Sequence, residues 1–292
     1  MSEGSAPRSV WAVEAELGEG PVWVEHDQAL WFTDIKRRKV HRYDPANDDR
    51  QSWDSPEQIG FVLPASDGSF VAGLQSGLHR FDPTSGAFTL IAAVEPERPG
   101  NRLNDGVVDP AGRLWFGTMD DSERERSGSF YCFADGEVRP TGISGVAITN
   151  GPAVSPDGRT LYWVDTIEGT ISACDIGDDG TLGASRPFAR IEAGEGHPDG
   201  PTVDAEGCVW ISLYAGWEVR RYSPEGELLR RVRFPVANIT KIAFGGQGLG
   251  TVYATTARQL LSAEEVAKQP LNGNLFAFDA GVQGQPCPLV AV

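Results

Sequence analysis

The sequence predicts an all-β protein, a six-bladed β-propeller. Three observations predict it: a recurring aromatic strand fragment, a spacing that fits one small sheet per recurrence, and turn dipeptides at the strand entries. The fragments Leu30-Trp31-Phe32, Ser69-Phe70-Val71, Leu114-Trp115-Phe116, Leu161-Tyr162-Trp163, Val209-Trp210-Ile211 and Val252-Tyr253-Ala254 place their middle residues 39, 45, 47, 48 and 43 positions apart. A period in that range marks stacked or radially arranged units. Each unit is built from short runs of β-branched and aromatic residues, often entered through Asp67-Gly68, Ala111-Gly112, Asp157-Gly158 or Glu206-Gly207. Such dipeptides between strand-like runs specify an antiparallel sheet. Six sheets around an axis make a propeller, which delivers residues distant in sequence to one point.

Taken from the N-terminus, the first strand is expected at Ser9-Val10-Trp11-Ala12-Val13, ahead of the first repeat. Its expected partner is Gly273-Asn274-Leu275-Phe276-Ala277-Phe278 in the last blade, since pairing the two ends closes the ring and hides sheet edges. The repeats leave no room for a linker, so residues 1–292 are read as one domain. Helix is expected only after Ser262, where Ser262 and Glu265 have capping-box spacing and Pro270 terminates the segment. The segment Met1–Arg8 lacks the basic and apolar regions of a secretory signal, and no long apolar run occurs. A cytoplasmic location with no membrane partner is the resulting expectation.

With 41 acidic against 25 basic residues the formal charge is −16, which excludes the basic surface that nucleic acid requires. Cys132, Cys174, Cys208 and Cys287 have no CxxC spacing and read as buried thiols. His26, His41 and His79 read as surface residues, and no pair has zinc-site spacing. His197 is a candidate pocket residue, and Tyr214 and Trp217 are candidate walls, against the plainer reading of aromatics packed between blades.

A site emerges when the repeats are aligned. Ten to twelve residues before each repeated aromatic, on the expected innermost strand, stand Glu19, Gln58, Asn104 with Asp105, Asn150, Asp199 and Lys241, all polar. Four of these positions enter similar phrases: Glu19-Gly20-Pro21-Val22, Asp105-Gly106-Val107-Val108, Asn150-Gly151-Pro152-Ala153 and Asp199-Gly200-Pro201-Thr202. A single such pair is an ordinary turn signal. Their common phase is not, because turns at the outer rim would not converge. Glu19, Asn150 and Asp199 offer hard oxygen atoms and no sulfur or imidazole, a donor set that selects calcium, magnesium or manganese. Gln58 and Lys241 are expected only to plug the axis, and Asp105 either supports the site or satisfies its turn.

These residues carry a resemblance. Leu17-Gly18-Glu19-Gly20-Pro21, Arg102-Leu103-Asn104-Asp105-Gly106, Phe116-Gly117-Thr118-Met119, Thr149-Asn150-Gly151-Pro152 and His197-Pro198-Asp199-Gly200 resemble the family of regucalcin (senescence marker protein) and the gluconolactonases, most nearly its bacterial xylonolactonases and arabinolactonases. The resemblance runs from Gly18 to Thr255-Thr256-Ala257-Arg258. It implies one divalent cation, calcium first with zinc, magnesium, manganese or iron as alternatives, held by Glu19, Asn150 and Asp199. It implies that Arg102 and Asn104 hold substrate. A family glutamate that contacts sugar hydroxyls falls near Ser122, with Asp120, Asp121 and Glu123 adjacent, so Asp121 and Ser122 are the expected contacts there.

The expected reaction is hydrolysis of a pentono- or hexonolactone to its sugar acid. A divalent cation polarises the carbonyl and acidifies water, and Asp199 is assigned as general base. No G-x-S-x-G phrase supports a serine nucleophile. The rival is a non-enzymatic calcium-binding or protein-interaction propeller. A small sugar lactone is the expected partner, and the chain is expected to act as a monomer or weak dimer.

Overall fold

The computed structural model describes residues 5–292. Six four-stranded antiparallel sheets form the six blades of a β-propeller. The inner strands are Gly18–Val24, Ile59–Pro64, Asn101–Val108, Thr149–Val154, His197–Val203 and Ile239–Gly245, in blade order. Each leads outward to the strand that carries a repeated aromatic, so the sequence period is one blade. The strand Arg8–Trp11 pairs antiparallel with Leu275–Asp279, with Ser9 opposite Phe276, in the sheet that also holds Ile239–Gly245. The two ends of the chain therefore share the sixth sheet.

Burial falls from the axis outward. The inner strand Gly18–Val24 and its neighbour Ala29–Asp34 are buried along their whole length, whereas the outermost strand Asp49–Asp54 is almost wholly exposed. The repeated aromatics face adjacent blades: Trp31 packs on Phe70 with ring centroids 4.4 Å apart, Trp210 on Phe244 at 5.9 Å, and Tyr253 stacks on Trp23 at 5.9 Å across the seam between sixth and first blades. The period seen in sequence is thus the period of inter-blade packing, driven by burial of large aromatic surface.

Three blades repeat one polar device around that aromatic. Asp27 Oδ2 accepts from Trp31 Nε1 at 2.8 Å and Arg42 Nε at 2.7 Å. Asp109 Oδ2 accepts from Trp115 Nε1 at 2.9 Å and Arg113 Nε at 2.6 Å. Asp204 Oδ2 accepts from Trp210 Nε1 at 2.9 Å and Arg221 Nε at 2.8 Å, while its Oδ1 accepts the Glu206 and Cys208 amides. Asp204 is fully buried, so removing it strands an indole donor and a largely buried guanidinium. Asp204→Ala is expected to lose about 3–5 kcal/mol of stability. Urea unfolding measures this, and a loss under about 1 kcal/mol would show that the carboxylate is dispensable.

The helix appears where the capping box places it, at Ala263–Lys268, with Ser262 as N-cap and both reciprocal bonds to Glu265 formed. All four cysteines are free, and Cys132, Cys174 and Cys208 are buried. No helix among the described residues is long and apolar enough to cross a membrane. His26 is exposed, but His41 and His79 are buried, which corrects their reading as surface groups. His41 packs edge-on to Trp11 at 5.4 Å and shares a 2.7 Å hydrogen bond with Ser52. Burial pushes its imidazole down to about 4. Trp11 of the N-terminal strand covers His41, a contact between distant parts of the chain.

Candidate metal and substrate site

Every inner strand slips register against its neighbour, between Glu19 and Val22, Ile59 and Phe61, Leu103 and Gly106, Asn150 and Ala153, Pro198 and Pro201, and Ile239 and Lys241. A bulge leaves a residue outside the ladder and re-aims its side chain. Four of the six bulges coincide with the polar phrases read from the sequence, at Glu19, Asn104-Asp105, Asn150 and Asp199, and these side chains turn toward the axis. The glycines serve two purposes there. Gly151 has φ +77, a conformation disfavoured for side-chain-bearing residues, whereas a Cβ on Gly200 would lie 2.6 Å from Lys241 Cγ. At Gly200 the need is close approach, not a turn.

Glu19, Arg102, Asn104, Asn150 and Asp199 line one cavity of about 410 Å³, together with His197, Tyr214, Thr166 and Glu123. They come from four blades. The short helix and the loop before it close one side through Leu260, Leu261 and Glu265. Because all inner strands start at this mouth, their last residues, such as Val108, Val154 and Val203, line a smaller opening of about 130 Å³ at the far end, crossed by Gln285-Pro286-Cys287-Pro288. The polar cavity lies at the strand starts only.

Glu19, Asn150 and Asp199 are each about 95% buried. Glu19 Oε2 accepts from the Gly20 amide at 2.8 Å. Asp199 Oδ1 is buried with no hydrogen-bond partner among the described residues. Neither carboxylate has an ion-pair partner there, because the nearby cations are spent elsewhere. Lys241 Nζ pairs with Asp105 Oδ1 at 2.5 Å, and Arg102 Nε pairs with Asp121 Oδ1 at 2.8 Å. Burial pushes the Glu19 carboxyl up to about 7, with the negative charge of Asp105 adding to the rise. Burial likewise holds Asp199 well above the ordinary carboxylate range, reinforced by Glu19 and then Asp105. Two buried carboxylates without an ion-pair partner are costly to ionise.

Asn150 is fixed from both sides. Its Nδ2 donates to Thr166 Oγ1 at 2.8 Å, and its Oδ1 accepts from Asn104 Nδ2 at 2.9 Å. The amide oxygen is thereby kept on the cavity side with one lone pair to spare. Two carboxylates and an amide oxygen fit a hard divalent cation: oxygen donors, net negative charge, and an orphaned buried acceptor. No group of three or more His, Cys, Asp or Glu side chains among the described residues is disposed to hold a metal. The fit depends on counting the amide.

The remaining residues read from sequence fall into place unevenly. Asp105 accepts from the Gly106 and Gly151 amides at 2.8 and 3.0 Å as well as from Lys241, so its oxygens are occupied in holding the axis together. Gln58 precedes the second inner strand and donates to Asp121 Oδ2 at 2.8 Å, which binds a rim carboxylate and does not plug the axis. Asp121 and Ser122 are not among the residues that line the cavity. Ser122 Oγ donates to Asp120 Oδ2 at 2.6 Å inside a tight turn, and Asp121 faces three donors of the protein itself. Glu123, next in the chain, lines the cavity instead. Tyr214 and His197 line it, Trp217 does not, and the sixth blade contributes Asn238 at the mouth in place of Lys241. Thr166 and Asn238 carried no signal in the repeat alignment, since both sit in connections outside the aligned phrases.

Comparison with known proteins bears on this cavity. Residues 17–258 match the family described as the SMP-30/Gluconolactonase/LRE-like region. The chain is 36% identical to the 6-deoxy-6-sulfogluconolactonase of Pseudomonas putida, over 94% of this chain and 95% of that one. It is 37% identical to the L-arabinolactonase of Azospirillum brasilense, over 89% of this chain and 87% of the relative. Its fold superposes on a crystal structure described as a calcium-binding protein, regucalcin, from Agrobacterium tumefaciens with a TM-score of 0.94, at 30% identity and 98% coverage of both chains.

Proposed function

Because the chain belongs to the SMP-30/gluconolactonase/LRE-like family, we propose that it is a divalent-cation-dependent lactonase that opens a pentono- or hexonolactone to the sugar acid. The observation that carries the cation is the pair of buried carboxylates, Glu19 and Asp199, facing one cavity with no ion-pair partner among the described residues and with Asp199 Oδ1 left without a hydrogen bond. Glu19, Asn150 and Asp199 would hold it, with calcium the first candidate among hard cations. Such a cation supplies Lewis-acid polarisation of the lactone carbonyl and acidifies water.

The chain's own groups supply the rest. The cavity falls within the size range of small-molecule sites, about 300–1,000 Å³, and suits a single sugar ring with water. Arg102, whose side chain is almost fully buried, presents guanidinium donors matched to lactone oxygens and to the carboxylate of the product. Asn104 orients both Arg102 and Asn150, accepting from one and donating to the other. Asp199 is the proton acceptor. A cation beside it would lower its proton affinity, whereas burial and the charge of Glu19 raise it, so the two effects oppose.

A screen of pentono- and hexonolactones after chelation and re-addition of calcium, magnesium, manganese or zinc tests this reading. Opening of at least one lactone well above the rate in buffer with the same metal is expected. No acceleration with any lactone or cation would end it. The rival, a calcium-binding propeller without catalysis, predicts cation binding in that screen with no rate enhancement.

A further inference from the structure

Three blades converge on the carboxylate of Asp121. Lys36, in the turn between Ala29–Asp34 and Lys39–Asp44 of the first blade, donates from Nζ to Oδ1 at 2.6 Å. Gln58, at the entry to the second, donates from Nε2 to Oδ2 at 2.8 Å. Arg102, on the inner strand of the third, donates from Nε to Oδ1 at 2.8 Å. Burial works against ionisation of Asp121, yet the bonds from Lys36, Gln58 and Arg102 outweigh it and hold the carboxyl at about 2. Asp121 remains an anion at any working pH.

We propose that Asp121 is a positioning residue: it holds the Arg102 guanidinium turned toward substrate and keeps that charge away from Glu19 and Asp199. A guanidinium is a rigid planar fork, so fixing two of its nitrogens fixes the third. Nε is fixed by Asp121, and Nη1 donates to Asn104 Oδ1 at 2.6 Å and to Leu103 O at 3.2 Å. Nη2 makes no hydrogen bond among the described residues and is left for the cavity that Arg102 lines. Without Asp121, a buried guanidinium loses its contacting anion, and the carboxylates without an ion pair that line the same cavity include those of Glu19, Asp199 and, at its rim, Glu123. Swung inward, the guanidinium competes with the cation for the Glu19 and Asp199 oxygens. Asp121, expected from the resemblance to contact substrate, on this proposal acts through Arg102 instead.

This inference rests on the lactonase reading, and its test has a readout apart from turnover. In Asp121→Asn, calcium affinity, measured by titration calorimetry on chelated protein, is expected to fall about ten- to hundredfold, the size of a charge-assisted hydrogen bond. The KM for the lactone found in the screen rises in parallel. In an Arg102→Gln background the same Asp121 substitution is expected to leave calcium affinity unchanged, because the residue acts through Arg102. Lys36→Met and Gln58→Ala remove the other two donors and leave Arg102 paired. If the hub merely braces the blades, these two variants weaken calcium binding as much as Asp121→Asn does, and the proposal fails. It fails also if Asp121→Asn binds calcium like the wild type, or if its effect persists undiminished beside Arg102→Gln. Wild-type protein that neither binds a cation nor opens a lactone overturns the functional reading and this inference with it.

Discussion

Asp199→Asn is expected to reduce lactone turnover by about 10²–10⁴-fold, the range that loss of a general base produces, while the propeller stays folded. The substitution preserves shape, and the side chain has no ion pair to break, since Oδ1 has no partner among the described residues. It removes one of two buried like charges. The cation-free variant is therefore expected to melt above the cation-free wild type at pH 8, where Glu19 of the wild type is pressed to ionise beside a second buried carboxyl. The sign follows from the raised proton affinity. Glu19 titrates near 7 in the fold instead of 4.5, so its contribution to stability is complete below about 4.5 and is lost as pH rises through about 7. Asp199, displaced upward as well, adds in the same direction. Turnover in the variant within a few-fold of wild type would remove Asp199 from the chemistry. A lower melting temperature at pH 8 would show that the carboxylates do not repel.

Chelation is expected to abolish activity and to lower the melting temperature, with both restored by the effective cation. Binding to the folded state alone stabilises by about 2.7 kcal/mol when the cation is present at a hundred times its dissociation constant. In a chain of this size that corresponds to a shift of roughly 5 °C. Protons and the cation compete for Glu19 and Asp199, so affinity is expected to rise with pH through the interval below about 7, where Glu19 loses its proton. Calorimetric titrations at pH 5.5, 6.5 and 7.5 check this. An affinity that is flat over that interval would place the cation elsewhere. Glu19→Gln is the companion variant, expected to weaken cation binding while it too relieves the cation-free protein.

The arrangement around the site explains why these two substitutions outrank others. Lys241 is the one ammonium on the axis among the described residues, and it is bound to Asp105, which in turn takes the Gly106 and Gly151 amides. Arg102 is bound to Asp121. Each axial cation is thus committed to a carboxylate outside the Glu19 and Asp199 pair, and the pair keeps its unmatched charge. A propeller is suited to this, since neighbouring blades supply the separate partners.

What the amino-acid sequence determined by itself was the number of blades, the phase of the inner strands and the convergence of Glu19, Asn104, Asn150 and Asp199 on one cavity. Those features are periodic, because each blade repeats the same local pattern of aromatic packing and bulged entry, and a period survives in one dimension. The capping box of the short helix was legible because it is confined to four residues. Tertiary structure alone decided which charge met which. Nothing local distinguishes Asp121, bonded to Lys36 and Gln58 from two other blades, from Glu123 two residues on, which lines the cavity. Nothing local tells that Lys241 is spent on Asp105 across 136 residues, or that His41 is covered by Trp11. Pairings of that kind depend on how blades are rotated against one another, and electrostatic energy depends on distance and burial, neither of which a linear spacing encodes.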